Sequence, residues 1–423
     1  MTDASAALSS PPPPPPVGGG WKYKPPPAEP DPHDDSAATA LACPEGFSLV
    51  GARVRGRKHK HDGTWCDDWF DAAAAGAWTV VAVADGAGSC RFSRVGARES
   101  TQAAVRYLSE QLGPRPVPRR GRWSPDDFRQ DDATGAFADA DLAWLQGRLY
   151  NAMIAAFSAV RAAAKLRADG PEHARVLGRP PEVADFSATL LLAVHAVVPT
   201  DDGPQSLALS CQAGDGMIAA VEADRWGLRL MGVPDGGEYG GETSFLTASR
   251  WWADPAAGKA EFHRRTHAFL GRLAALMVMT DGVSDDYFPA DPGMLRLHAD
   301  LALNGILSPP APEPERVFAA LRETPQQSPH GLLAEDFSYR SEAAGPDGPV
   351  VRTVRDAGRL AERVGWEAAT VFRSAEVIAT AAAQGAIAEG PRQQRLAEWL
   401  DGYYVRGSSD DRTLVVLTPE ARP

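Results

Sequence analysis

Five widely separated stretches of this chain carry carboxylates at the end of an apolar run. They are TWCDDWF (64–70), VVAVADGAGS (80–89), CQAGDGMIAAV (211–221), VMTDGVSDD (278–286) and GSSDDRTLVVL (407–417). Three of them place Asp-Gly straight after a run that reads as a buried strand: Asp85-Gly86, Asp215-Gly216 and Asp281-Gly282. A carboxylate there is costly to bury unless it is paired or binds a cation. The following glycine lets the backbone turn sharply and approach a bound ion closely. One Asp-Gly pair is an ordinary turn. Five such segments restrict the chain to folds that bring strand ends together.

Hard divalent cations take oxygen ligands, whereas zinc sites favour His and Cys at close spacing. The four cysteines, Cys43, Cys66, Cys90 and Cys211, show no CxxC spacing. The acidic segments therefore suggest Mg²⁺ or Mn²⁺. Two such ions about 3.5–4 Å apart can share a carboxylate, activate a water and neutralise a phosphoryl group. Four cysteines make no disulfide framework, and the N-terminus has no secretory pattern, so a reducing cytoplasm is the expected setting. Cys66, Cys90 and Cys211 lie near acidic segments. Inert packing is the expected reading, with oxidative control of metal binding as the alternative.

The net charge is −12, from 43 Lys and Arg against 55 Asp and Glu, which argues against nucleic-acid binding. No apolar run reaches the length of a membrane-spanning helix. With 44 % apolar and 23 % charged residues, the chain of 423 residues has the composition of a protein with a sizeable core.

Residues 1–40 contain PPPPPP at 11–16 and PPP at 25–27. Proline removes backbone donors and favours polyproline II, so this part is expected to be a disordered tail. It would be a flexible leader or a ligand for a proline-binding module, and its removal would barely change stability. A domain over 41–420 follows. Strands running into a turn are expected at 78–86 and 274–282, with four apolar or alternating runs over 186–232 and a last strand at 412–417. Helices are expected at 93–112 and about 139–168. The block 291–400 reads as helix-rich. The order indicates an α+β chain without a fixed-period repeat.

The ordered set CDDWF, VADGAGS, SATLLL, GDGM, MTDGVSD and SDDRTLVVL resembles the metal-dependent serine/threonine protein phosphatases of the 2C (PPM) type. The likeness is greatest to the bacterial branch, in which an SH…G…QDA segment opens the domain. It spans about 46–420. It implies a four-layer αββα sandwich of two antiparallel sheets flanked by helices, with a helical insertion at 291–400 and a flap-like loop at 233–262. It also implies hydrolysis of phosphoserine and phosphothreonine by a metal-bridging hydroxide. Two Mn²⁺ or Mg²⁺ ions and a third, weaker site are part of that implication. So are a phosphoprotein substrate and a cognate Ser/Thr kinase in bacterial signalling.

Carried over residue by residue, the resemblance makes Asp85 the bridging carboxylate and the Gly86 carbonyl a further ligand. Asp281 and Asp410 would bind one metal each or share one, Asp67 and Asp68 match the opening acidic pair, and Asp215, Asp281 and Asp285 match the third-metal site. Asp68, Asp85, Asp281 and Asp410 are the expected catalytic set, together with His59 at the SH position as a phosphate contact or proton donor. Asp411 and Thr413 match polar positions after the last ligand, and Thr189 matches a core threonine. Two features of the animal branch are missing: its histidine two residues after the bridging Asp is Ala87 here, and its phosphate-gripping arginine falls near Gly63. The basic stretch RVRGRKHKH (53–61) offers a compensating set, Arg53, Arg55, Arg57, Lys58 and Lys60, to steer an anionic substrate. An exposed, solvated basic strand is the alternative. Trp251-Trp252 would contact a substrate protein or anchor the loop. Two rival functions are a regulatory module that keeps the fold without catalysis and a small-molecule phosphohydrolase.

Overall fold

The computed structural model describes residues 22–119, 121–223, 228–234, 243–288, 390–402 and 408–420, some positions between 290 and 307, and two strands at 337–341 and 350–354. Two antiparallel sheets stack face to face. The first is built from β1 (Ser36–Cys43), β2 (Phe47–Val54), β7 (Met217–Glu222), β8 (Leu228–Leu230), β10 (Leu273–Met279) and β13 (Arg412–Pro419), in the order β1-β2-β13-β10-β7-β8. The second contains β3 (Trp69–Ala75), β4 (Trp78–Ala84), β5 (Leu190–Thr200), β6 (Gly203–Ala213) and β9 (Thr266–Gly271), in the order β3-β4-β5-β6-β9.

Alternation along the strands makes the layers. On β4, Val81 and Val83 point into the space between the sheets, where they meet Leu191, Ile218, Val278 and Val415. Trp78, Val80, Ala82 and Ala84 point the other way, onto α2 (Ser93–Leu112) and α3 (Ala140–Ala168). On β13, Val415 and Leu417 face the second sheet, whereas Leu414 and Val416 pack outward. The outer partners there include Leu396 and Leu400 of α7 (Arg392–Gly402) and Val283 of the short α6 (Asp281–Ser284). Each fully buried aliphatic side chain contributes about 1.5–3 kcal/mol. Period-two burial on both faces requires covering layers on each side, giving the αββα order.

α3 begins at Asp139, whose carboxylate accepts from the backbone N–H groups of Asp141 and Leu142. α4 (Pro171–Leu177) and α5 (Pro255–Arg264) both start on proline, where the missing N–H costs nothing. β1, β2, β3 and β9 escape sequence periodicity. Among the described residues, no helix is long and apolar enough to cross a membrane.

Two parts of the chain differ from expectation. The tail expected over 1–40 is not a tail beyond residue 21. Ser36–Cys43 pairs in register with Phe47–Val54, and residues 22–35 lie against the domain. Strand pairing and buried arginines fix this segment despite its prolines. Residues 1–21, which hold PPPPPP, lie outside the described residues. The block expected to be helical over 291–400 includes a two-stranded antiparallel sheet, β11 (Phe337–Ser341) with β12 (Val350–Val354), besides α7. Most of the block lies outside the described residues, as does 235–242 of the expected flap. The described part of that loop is anchored. Trp251 donates its indole N–H to Phe245 O (2.9 Å) and Trp252 to Leu246 O (2.8 Å). Their rings stack on Phe262 and Phe157, so both tryptophans serve as anchors.

Candidate active site and metal centre

Strand ends build the site. Asp85 follows β4, Asp215 sits in the tight turn between β6 and β7, and Asp281 opens α6 directly after β10. One carboxylate oxygen from each of these three lies within 4.8 Å of the others. The β6–β7 turn reaches this point because Gly216 adopts φ +88°, and a Cβ there would stand 2.6 Å from Met279 O. Gly86 is equally constrained, since a Cβ would meet Asp67 O at 2.6 Å. The opening acidic pair thereby packs on the loop that carries Asp85.

Thr189 fixes Asp85 from below. Its hydroxyl accepts from the Asp85 N–H (2.8 Å), and its own N–H donates to Asp85 O (2.8 Å). Asp68 is completely buried. Its Oδ2 accepts from the hydroxyls of Thr280 (2.9 Å) and Thr413 (2.7 Å), while Oδ1 is buried without a hydrogen-bond partner. Thr243 donates to the Asp215 carboxylate.

The electrostatics are those of crowded like charges. Burial and then Asp68, Asp281, Asp410 and Asp215 push the Asp85 carboxyl well above its ordinary range. Asp68 is raised by burial and Asp411. Asp281 is raised to about 7 by burial and by Asp215, Asp410 and Asp285. Asp285 is raised by burial, Asp215 and Asp410. Such a set lacks positive charge. An orphaned buried oxygen on Asp68 and a donor set made of carboxylates fit hard divalent cations. Asp85, Asp215, Asp281, Asp68, Asp285 and Asp410 are the residues that would hold them.

Asp67 turns elsewhere. It joins His59 and Asp411 in a second group whose candidate ligand atoms lie within 4.8 Å of one another. His59 Nδ1 lies 2.6 Å from Trp65 O and 3.0 Å from Asp411 Oδ2, and Nε2 lies 3.3 Å from Asp410 Oδ1. Both ring nitrogens therefore face oxygen acceptors, the pattern of an imidazolium rather than a metal ligand. Burial opposes the charged ring, but Asp411, Asp410 and Asp67 outweigh it and push His59 up to about 12. Asp411 also accepts from the backbone N–H groups of Gly56 (2.6 Å) and Asp67 (2.6 Å), tying three segments together. Asp67 is raised to about 7 by burial and Asp411.

Of the expected residues, Asp85, Asp215 and Asp281 converge closely, with the charges of Asp68, Asp285 and Asp410 acting on the same group. His59 is a hub between carboxylates. The expected steering set is largely consumed. Arg53 and Arg55 are buried because N-terminal residues cover β2. Arg53 donates to Asp34 O (2.9 Å) and lies 4.4 Å over the Trp69 ring, while Arg55 pairs with Asp35. Lys60 pairs with Asp401. Lys58 is exposed, and its charge acts on Asp410. The cysteines form no disulfide. Burial raises the Cys66 thiol well above its ordinary value and Cys211 to about 12, so both stay protonated and inert.

Sequence reasoning missed Thr280, Arg94 and the Trp65 carbonyl. Thr280 carried a signal, a hydroxyl directly before Asp281 at a strand end. Arg94 carried none, being one of several arginines on a helix.

The family described as protein phosphatase 2C matches residues 55–307, more than half of the chain. No curated protein matches it. Among solved structures, RsbX in complex with magnesium is similar, at 10 % identity and a TM-score of 0.34, covering 90 % of this chain and 99 % of that one. The serine/threonine phosphatase Stp1 from Staphylococcus aureus gives 9 % identity and 0.35, with 90 % and 98 % covered. A phosphatase from Toxoplasma gondii gives 10 % and 0.43, with 91 % and 96 % covered. These likenesses are too distant to carry an argument. The family match over 55–307 and the carboxylates converging at strand ends lead to one assignment: the chain belongs to the protein phosphatase 2C family.

Proposed function

We propose that this protein hydrolyses phosphoserine and phosphothreonine in proteins, using Mn²⁺ or Mg²⁺ held by Asp85, Asp215, Asp281, Asp68, Asp285 and Asp410. The observation that carries the reading is the approach of Asp85, Asp215 and Asp281 to within 4.8 Å at the ends of separate strands. When bound, such ions acidify a water and draw charge from phosphoryl oxygens. The chain's own part is preorganisation. Thr189 holds the backbone of Asp85 on both sides, and Thr280 with Thr413 fixes the Asp68 carboxylate. Fixed carboxylates avoid reorganisation as charge develops in the transition state.

His59 serves as a positioning cation. Held between Asp410 and Asp411 and pushed up to about 12, it keeps its proton at neutral pH. A group that tightly protonated is a poor donor to a leaving alkoxide near pH 7. Its positive charge instead steadies Asp410, whose carboxyl it draws down. The Gly86 carbonyl as a further ligand and the third-ion role of Asp215 and Asp285 belong to the same proposal. So does a cytoplasmic signalling setting opposite a Ser/Thr kinase.

The test is phosphate release from a phosphothreonine peptide with Mn²⁺, with and without chelator, beside a nucleotide as alternative substrate. Metal-dependent release from the peptide, lost in Asp85→Asn with the fold intact, is expected. Undiminished turnover in that variant refutes the assignment. Preference for the nucleotide makes the protein a small-molecule phosphohydrolase. Metal binding without turnover leaves a regulatory module.

A further inference from the structure

We infer that residues 22–35 act as a strap that positions the loop 56–68, and with it His59, Asp67 and Asp68, through the buried arginines Arg55 and Arg94. The strap is proline-rich and runs along the outside of that loop. At one end, the Lys24 N–H donates to Lys60 O (2.7 Å) and the Lys22 N–H to His61 Nδ1 (3.1 Å). A Cβ at Gly63 would lie 3.3 Å from Pro25 O, so strap and loop are in close contact.

Arg55 joins the two directly. Its Nη2 donates to Lys24 O of the strap (2.8 Å) and to His59 O of the loop (2.9 Å), while Nη1 pairs with Asp35 (3.1 Å). A single planar guanidinium thus fixes the backbone of the residue whose ring holds Asp410 and Asp411. Only arginine offers this fork of donors. Arg94 holds the strap further along and meets the loop through a ring face. Nε donates to Asp31 O (2.8 Å) and Nη2 to Pro30 O (2.9 Å), and its guanidinium lies 5.5 Å from the Trp65 ring centroid. Trp65 is the residue whose carbonyl faces His59 Nδ1. Both arginines are 1 % exposed, so neither is free to move without unseating the strap.

The strap has its own anchor, remote from the carboxylate cluster. Asp31 takes φ +56°, a conformation that non-glycine residues seldom adopt. Its carboxylate receives Arg167 Nη2 (2.7 Å) and Nε (2.8 Å), and His173 Nε2 stands 2.9 Å away. Beyond it, His33 packs on Trp69 at 4.8 Å between ring centroids. The strap therefore runs from the helices over the second sheet to β2 of the first, with the loop beneath it. Asp31 and Arg167 form a partly buried, two-pronged pair, so removing the Asp31 carboxylate unpairs Arg167 and His173 and loosens the seat of the strap.

The inference rests on the phosphatase reading only for its effect on turnover; the loop's position is measured without it. The experiment is amide hydrogen exchange on the full chain, comparing wild type with Asp31→Ala, alongside calorimetric titration with Mn²⁺. In Asp31→Ala, exchange over 57–68 is expected to quicken by about tenfold or more while β5 and β6 keep wild-type protection. The Mn²⁺ dissociation constant is expected to rise severalfold, and Asp31→Glu to recover part of both effects. Unchanged exchange over 57–68 overturns the inference. Equal acceleration throughout the chain also overturns it, because the strap is then a general stabiliser. Arg55→Lys is the milder companion, keeping the charge but losing the fork. It should loosen 57–68 with Asp31 still seated, and wild-type exchange there counts against positioning. Absence of phosphatase activity in the wild type sinks the functional reading and leaves the exchange result standing.

Discussion

Metal affinity should fall steeply as the solution is acidified, because protons and cations compete for the same oxygens. Asp281 is raised from an ordinary carboxylate value to about 7 by burial and by Asp215, Asp410 and Asp285. Above that value the group is ionised and ready to bind; below it, each binding event must expel a proton. The penalty factor is one plus ten raised to the difference between pKa and pH. For one displaced proton, affinity at pH 5 is about 90-fold weaker than at pH 8, or about 2.7 kcal/mol. A carboxylate left at its ordinary value would change affinity only about 1.1-fold over that range. Asp68 and Asp85 are also raised, so the dependence from one group is a lower bound. Calorimetric titration with Mn²⁺ at pH 5, 6, 7 and 8 measures the constant. Repeating it at pH 6 in buffers of different ionisation enthalpy counts the protons, with about 0.9 released by Asp281 alone. A dissociation constant flat from pH 5 to 8, with no buffer dependence, would refute the crowding argument.

Two other outcomes separate site from scaffold. Thr189→Val removes the acceptor of the part-buried Asp85 N–H and should cost about 1 kcal/mol in urea unfolding while lowering Mn²⁺-dependent turnover, with Thr189→Ser restoring most of both. Leu108→Ala opens a cavity on the α2 face of the second sheet and should cost about 2–5 kcal/mol, yet leave the Mn²⁺ dissociation constant unchanged.

The sequence was most informative where one physical requirement dominated a segment. β4, β5, β10 and β13 are runs that must be buried on both faces; β4 and β10 run into Asp85 and Asp281, and β13 starts just after Asp410. α3 announces itself through Asp139 at its start and Gly170-Pro171 at its end. β3 stayed hidden because DAAAA has neither branched side chains nor alternation; pairing with β4 across a short turn imposes its extended form. β1 stayed hidden behind a proline-rich prefix, and only its register with β2 makes it a strand.

The site divides along the same line. The acidic cluster was legible because charge at a strand end demands an explanation. The fate of the basic stretch was not, since an arginine looks alike whether it meets water or another part of the chain. Arg53 and Arg55 became buried connectors only when residues 22–35 folded over them. His59 was legible as a site residue, but its role depends on Asp410 and Asp411, hundreds of residues further along.

The pairing of β2 with β13 in the first sheet sets the order of events during synthesis. Phe47 lies opposite Pro419 and Val54 opposite Arg412, so β2 and β13 are sequence-distant neighbours. A growing chain on the ribosome can form the β3–β4 hairpin and pack α2 on α3 early. It cannot close the first sheet, or bring Asp410 to the other carboxylates, until residues 410–419 have emerged. Such long-range closure slows folding and leaves β2 with an open edge in the meantime. The carboxylate cluster is therefore completed by one long-range closure rather than by gradual maturation.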